Sequence, residues 1–321
     1  GRAALVGILN TLLVAFIGCI IATIIGVFVG ILRLSKNWIV AKLMSVYIEG
    51  FRNIPILLWI VMIFALLTEF TPAPKAFRGA NPEASMILFE STAVTNRGTY
   101  FPNPVWGDGS IYLIIVFLIS LIAIFFFRRY ARSLQEETGQ NLPKFWISLS
   151  LLLIPSILFY FMLGSPVSLE YPYLKGFNFK DGIYVRNSFI ALTLALSLYT
   201  SAFIAEIVRS GILAISKGQT EAASSLGLRP GRIMNLIILP QALRVIVPPM
   251  ISNYLNLTKN SSLAIAVGYM DVRGTLGGIT LNQTGRELES MLLLMGFYLC
   301  VSLLVSAVIN YFNRSFQIKG L

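Results

Sequence analysis

The chain has 321 residues, 56% of them hydrophobic and only 12% charged, with no histidine and a net charge of +11; its mean hydropathy is +0.77. That balance excludes a water-soluble globule, and the lack of histidine excludes Ser-His-Asp triads and HExxH zinc sites. Several uncharged runs of eighteen or more residues predict an all-α, polytopic helical membrane protein and not a β-barrel. The two cysteines, Cys19 and Cys300, fall inside apolar runs and read as small buried hydrophobes, not as a disulfide or a metal site.

In chain order, Leu5 to Leu32 is uncharged and begins almost at the first residue, Gly1. It is too long for a cleaved signal peptide and lacks a basic start, so residues upstream of Gly1 are expected. Gly18, Ala22, Gly26 and Gly30 recur every four residues, a stripe of small side chains that suits close packing inside the bundle or a dimer seam. Arg33 and Lys36 close this span. Asn37 to Arg52 predicts an amphipathic helix, and Pro55 bends the chain before a span that ends near Thr68. Glu69 to Gly109 is rich in Pro, Gly and Asn and too long to be a mere connector; short helices are expected in it.

Two further spans, Ser110 to Phe127 and Phe145 to Gly164, are joined by a basic segment carrying Arg128, Arg129, Arg132 and Lys144. Asn187 to Glu206 predicts the next span, with Thr193, Ser197 and Ser201 every fourth residue. After the charged segment Ser216 to Pro240 comes a span expected to be interrupted at Pro248 and Pro249. It also carries Asn253, Asn256, Lys259, Asn260 and Ser261. Helix breakers and polar groups at membrane depth are tolerated where they line a cavity or are buried in protein, so this span is the expected pathway wall. The asparagines form one polar stripe, and Thr193, Ser197 and Ser201 form another. Each either lines a substrate path or makes hydrogen bonds between helices. Lys259 is a buried ammonium on this reading, either functional or placed to snorkel. Ser290 to Phe312 is the last crossing, followed by Arg314 and Lys319.

Charge placement orients the chain. With Gly1 outside and seven crossings, the inner segments hold fifteen Lys and Arg against five acids, and the outer segments hold nine against nine. The basic excess is positive-inside bias, and not a nucleic-acid footprint.

Ser216 to Pro240 reads as an elbow facing water. Gln219 to Leu226 predicts one short helix with Glu221 in its first turn, where the helix dipole favours a carboxylate. Gly227 ends it. Arg229-Pro230-Gly231 predicts a tight turn with glycine in the left-handed position, and a second helix starts near Arg232. The expected tip presents Glu221, Ala222 and Ala223, small enough for a partner to approach closely.

Glu221-Ala222-Ala223, with three residues to Gly227, nine to Ile237 and then Leu239-Pro240, resembles the EAA-x3-G-x9-I-x-L-P loop of ABC importer permeases. Tyr47-x-Glu49-x-Phe51-Arg52-x-x-Pro55 and Ala205-Glu206-Ile207-Val208-Arg209-x-Gly211 resemble two further motifs of the permeases for polar amino acids, and the inserted block resembles the general L-amino acid importers of alphaproteobacteria. The resemblance implies a MetI-like, type I importer fold of five core helices plus a two-helix insertion. It makes 1–321 one transmembrane permease domain: core helices in 5–68, loop and insertion in 69–186, and the remaining core helices with the loop 216–240 in 187–321. In that family the loop is a coupling helix seated in a cleft of a separate ATPase, which assigns coupling to Glu221, Ala222, Ala223, Gly227, Arg229 and Pro240. The implied partners are ABC ATPase subunits carrying ATP and Mg, a second related permease, a periplasmic amino-acid-binding protein, an amino acid substrate and the lipid of a bacterial inner membrane.

The chain has no GxxxxGK[ST] loop to cradle ATP phosphates and no G-x-S-x-G elbow, so it is expected to be non-catalytic and to bind no cofactor itself. The family often has Lys-Asp-Thr-Ser where this chain has Lys259-Asn260-Ser261-Ser262. Loss of that acid either removes a strong preference for cationic substrates or leaves the charge to the paired permease. The alternative function is an ATP-independent channel or secondary transporter, which predicts inverted repeats and intramembrane acids; neither is evident in the spans.

Overall fold

The computed structural model describes residues 2–79, 83–140 and 142–316, with side chains as far as 307. Gly1 and Lys319 lie outside the described residues, as does the side chain of Arg314. The chain forms two compact units. One comprises Gly1–Thr71, Thr95–Gly98 and Val185–Leu321, and the other Pro72–Val94 and Thr99–Tyr184.

The first unit is a helical bundle around α6 (Asn187–Leu213), about two thirds of whose apolar window is buried. Against it lie α1 (Arg2–Leu32), α2 (Trp38–Asn53) and α3 (Ile56–Glu69). The small-residue stripe of α1 explains how closely α1 and α6 approach. A Cβ on Gly26 would sit 2.7 Å from the Ile204 side chain, and one on Gly30 2.7 Å from the Ala205 carbonyl. The stripe is therefore an internal seam, as small residues permit where hydrocarbon offers no hydrophobic drive. Val14, Ala22, Leu192, Leu196 and Ile204 fill the core between these helices.

At Pro55 the chain bends by 105°, far more than the kink expected there. Pro55 precedes α3 as its N-cap residue, and Ile54 is extended, because a residue before proline is pushed out of the helical region. The carboxy-terminal part of this unit continues through α7 (Lys217–Ser225), α8 (Pro230–Ile233), a π turn (Met234–Ile238) and α9 (Leu239–Asn260). It ends in a 3-10 segment, the short helices α10 (Val272–Gly274) and α11 (Leu281–Thr284) around a second π segment, and α12 (Glu287–Phe316). The interruption expected at Pro248 and Pro249 is absent: α9 runs through both. Each proline removes the donor for one carbonyl a turn earlier and crowds that carbonyl, but both face outward, so their rings press on no packed helix.

The second unit holds a helical hairpin and short strands. Its helices α4 (Ser110–Thr138) and α5 (Lys144–Met162) form an antiparallel hairpin joined at small positions, Ser120, Ala131 and Ser148, all buried. Only 6% of either apolar window is buried. In the polar loop there is a single 3-10 turn, Pro74–Phe77, among the described residues, in place of the short helices expected. Strands instead supply the backbone pairing. Asn103–Trp106 pairs antiparallel with Val167–Glu170, and Tyr173–Lys175 with Asn178–Lys180. Phe179, Tyr100 and Phe77 form a small aromatic core beside them.

Among the described residues six helices are long and apolar enough to cross a membrane, or seven if α2 and α3 count as one bent span. The protein is a multi-pass membrane protein.

Candidate functional site

The elbow departs from expectation in three details, each with a local cause. Helix α7 begins at Lys217, after Ser216 in extended conformation, so Glu221 lies in its second turn and not its first. Gly227 ends it at φ +77°: its amide donates to the Ser224 carbonyl at 2.9 Å while Leu228 N–H reaches back to Ala223. That pair of bonds satisfies two carbonyls that the helix end would leave open, and it needs a left-handed residue between them. Pro230 is the first residue of α8 and Arg229 its N-cap. Proline is suited to that position because its missing N–H is not needed there, so Gly231 is helical and makes no left-handed turn.

Third, Ala223 is not presented. It is 2% exposed and packs on Ile233 and Ile238, with Leu228, Ile212 at the end of α6 and Ile215 just beyond it around them. Neighbours on a helix point about 100° apart, so Glu221 and Ala222 face out while Ala223 anchors the elbow. Leu226, 81% exposed, joins the outward face. Arg229 and Pro240 are exposed too. Because Pro240 has no amide, the chain enters α9 through the π turn: Leu239 N–H donates to the Met234 carbonyl, and the Gln241 side chain donates to the Ile237 carbonyl at 3.0 Å.

Beneath the elbow lies an ion-pair cluster that sequence reasoning missed. Glu206 on α6 accepts from Arg209 at 2.9 Å and pairs with Arg33 at the end of α1, while Arg33 Nε donates to Ser45 on α2 at 3.1 Å. Arg33 thus ties the end of α1 to α6 through the Glu206 carboxylate and to the middle of α2 through Ser45. The motif around Tyr47 makes a second joint. Tyr47 hydroxyl meets Ser201 Oγ at 2.6 Å, Phe51 stacks on Trp59 with centroids 4.3 Å apart, and Arg52 lies 5.2 Å over the Phe203 ring. Glu49 points away and is exposed.

The hydroxyl stripe sits inside the bundle. Thr193, Ser197 and Ser201 are all buried. Ser197 donates to the Thr193 carbonyl at 2.6 Å, and Ser201 to the Leu198 carbonyl at 2.7 Å, as small hydroxyls in helices commonly do. The α9 stripe is divided. Asn253 is half-buried and donates to the Pro249 carbonyl at 3.0 Å. Asn260 is half-buried as well, and Ser261 is fully buried on the Thr258 carbonyl. Asn256 and Lys259 are exposed, as is Ser252. Lys259 is therefore not a buried ammonium. It lies on a polar face of α9 that none of the described residues covers.

Between the last two spans, Asp271 is 1% exposed and its carboxylate accepts from Gly274 N–H at 2.8 Å, capping α10. Burial raises its carboxyl above the ordinary value. The Tyr269 phenol is pushed up to about 12, by burial first and by the Asp271 charge second. Val272 N–H donates to Thr11 at 3.0 Å and Asn10 to the Met270 carbonyl at 2.8 Å, so this loop is tied to the start of α1. A lone Asp after Tyr269 and Met270 gave no sequence signal of such burial. Among the described residues no group of three acids, cysteines or histidines is placed to hold a metal.

Residues 136–318 match the family described as "binding-protein-dependent transport system inner membrane component". The chain belongs to that family. It is 52% identical over 313 residues to the glutamate/glutamine/aspartate/asparagine transport system permease protein BztB of Rhodobacter capsulatus, covering 90% of this chain and 73% of that one. Identity to the general L-amino acid transport system permease protein AapQ of Rhizobium johnstonii is 45%, over 97% of this chain and 76% of that one. A solved amino acid ABC transporter crystallised with histidines superposes with TM-score 0.55 at 19% identity, over 98% of this chain and 94% of that one. The likeness shows a shared fold. Crystals of the MetNI methionine transporter give TM-score 0.52 at 15% identity, over 98% and 97%, so this permease family member has the MetI-like fold.

Proposed function

We propose that this chain is the permease subunit of an ATP-driven amino acid importer and that its elbow is the part a separate ATPase grips. The observation that carries the reading is the division of α7, with Ala223 locked on Ile233 and Ile238 while Glu221, Ala222 and Leu226 stand exposed. An anchored helix with an open outward face moves as one piece with the end of α6 and the entry to α9, which is what coupling requires. ATP and Mg belong to the partner, since this chain has no phosphate-cradling loop. The relatives named above carry amino acids, and acidic and amide side chains head the substrates in the name of the first.

The uncovered polar face of α9 supports a second permease. Ser252, Asn256 and Lys259 facing hydrocarbon would be costly, whereas a related subunit laid against α9 would enclose a polar path between the two. The outer loops are the surface on which a periplasmic binding protein docks, and the bilayer is the bacterial inner membrane. The decisive experiment uses the purified complex in lipid nanodiscs, comparing ATP hydrolysis with and without amino-acid-loaded binding protein for the native chain and Ala222→Asp. Full stimulation in the variant would overturn the coupling role of the elbow.

A further inference from the structure

The α4–α5 hairpin holds an unexplained cavity of about 790 Å³ at its charged end, lined by Arg128, Arg129, Arg132 and Lys144, with Glu136 and the rings of Phe125 and Phe145 among its walls. Four cations face one carboxylate there. Arg128 donates to Ser148 and Lys144 to Gln135, but Arg129 and Arg132 make no ion pair among the described residues, although both are exposed. Elsewhere the protein neutralises such a cluster itself: in the recess lined by Arg33, Lys42 and Arg209, Glu206 pairs with both arginines. At the hairpin that counter-charge is left to something else.

Three features indicate its chemistry. Only 6% of each helix's apolar window is buried, so the flanks of the hairpin lie in acyl chains and the cavity opens where those chains end. Phe145 and Trp146, about two thirds exposed, stand at this level, as aromatic rings do at the membrane interface. Helix α5 starts at Lys144 in the cavity wall with no side-chain cap, so the positive end of its dipole lies at the same space. We infer that this cavity binds the phosphate headgroup of an anionic phospholipid, with Arg129 and Arg132 as the principal ligands. Positive-inside orientation puts it in the inner leaflet, where basic pockets between helices serve this purpose.

The test uses the intact transporter, purified with its partner subunits, exchanged into equal phosphatidylglycerol and phosphatidylethanolamine and read by native mass spectrometry after detergent washing. The native complex should retain phosphatidylglycerol over phosphatidylethanolamine. Arg129→Gln with Arg132→Gln should lower the retained phosphatidylglycerol by about tenfold or more and leave phosphatidylethanolamine unchanged, while the double Arg→Lys variant should keep most of it. Equal retention of the two lipids, or no change in the Gln variant, would overturn the assignment. Displacement by sodium phosphate but not by sodium chloride of equal ionic strength would overturn it in favour of a soluble phosphate site. Should the double variant fail to assemble, Arg132→Gln alone should lose about fivefold, and unchanged retention would again overturn it.

Discussion

Leu228 N–H donates to the Ala223 carbonyl at 3.3 Å, wrapping the end of α7 over Gly227. Both ends of that bond belong to the elbow's apolar anchor, so the left-handed glycine holds the outward face in register with α6. Nothing lies within 4 Å of a Cβ at Gly227. The cost of Gly227→Val is therefore backbone strain of about 1–2 kcal/mol, without a clash. Stimulated ATP hydrolysis and uptake should fall sharply while membrane insertion is unchanged. Gly227→Asn, which tolerates the conformation better, should retain more of both.

Ala222 and Ala223 should separate by mechanism. Ala223→Asp buries a charge against Ile233 and Ile238 and should loosen the elbow, detectable as faster proteolysis between Ser216 and Pro240. Ala222→Asp is on the open face, so it should leave proteolysis at the native rate and still abolish coupling. Equal protease sensitivity would contradict the inward orientation of Ala223.

The cluster at Glu206 predicts a stability effect. Glu206→Gln leaves Arg33 and Arg209 without their carboxylate in a partly shielded site and should cost about 2 kcal/mol, typical for charge-assisted hydrogen bonds. Thermal unfolding of the Glu206→Gln, Arg33→Ala and double variants checks it. A double variant no worse than Glu206→Gln alone would show that the two residues act as one unit.

For the α9 face, Asn256→Leu and Lys259→Met should each raise the substrate KM for uptake by about tenfold, the worth of one lost hydrogen bond at its upper range, with normal subunit assembly. Ser197→Ala, inside the bundle, should change KM little and thermal stability more. The opposite ranking would return the path to the hydroxyl stripe of α6.

Asp271 predicts a pH dependence. Burial raises its carboxyl above the ordinary 3.8, so folding favours the protonated form. That contribution is complete below the unfolded value and is lost as pH rises through the folded one. Asparagine keeps the cap without the charge. Asp271→Asn should therefore gain thermal stability relative to the native chain near pH 7, and the gap should close on acidification toward about pH 4. A gap that widens on acidification would reverse the sign.

Legibility in the sequence followed how local each cause was. Gly227, the α1 stripe and the hydropathy of the spans act over a few residues of their own segment, and they announced the elbow, the close seam and the membrane class. The orientation of Ala223 was hidden because α7 has too few apolar residues to mark a face. Lys259 and Pro248 were misjudged because the sequence does not say which side of α9 lacks a neighbour. Asp271 and the Arg33–Glu206 pair join segments far apart in the chain, and no spacing rule connects them.

The two prolines of α9 stand between the elbow and the polar face. With no amides to offer at Pro248 and Pro249, the carbonyls of Arg244 and Val245 lose their usual donors, and this turn is the softest place in the helix to flex. On the proposed coupling role, a push delivered at Ala222 would reach Asn256 through a compliant joint and not a rigid rod. The stroke at the elbow and the displacement along α9 would then differ in size and direction, so that helix would work as a gear.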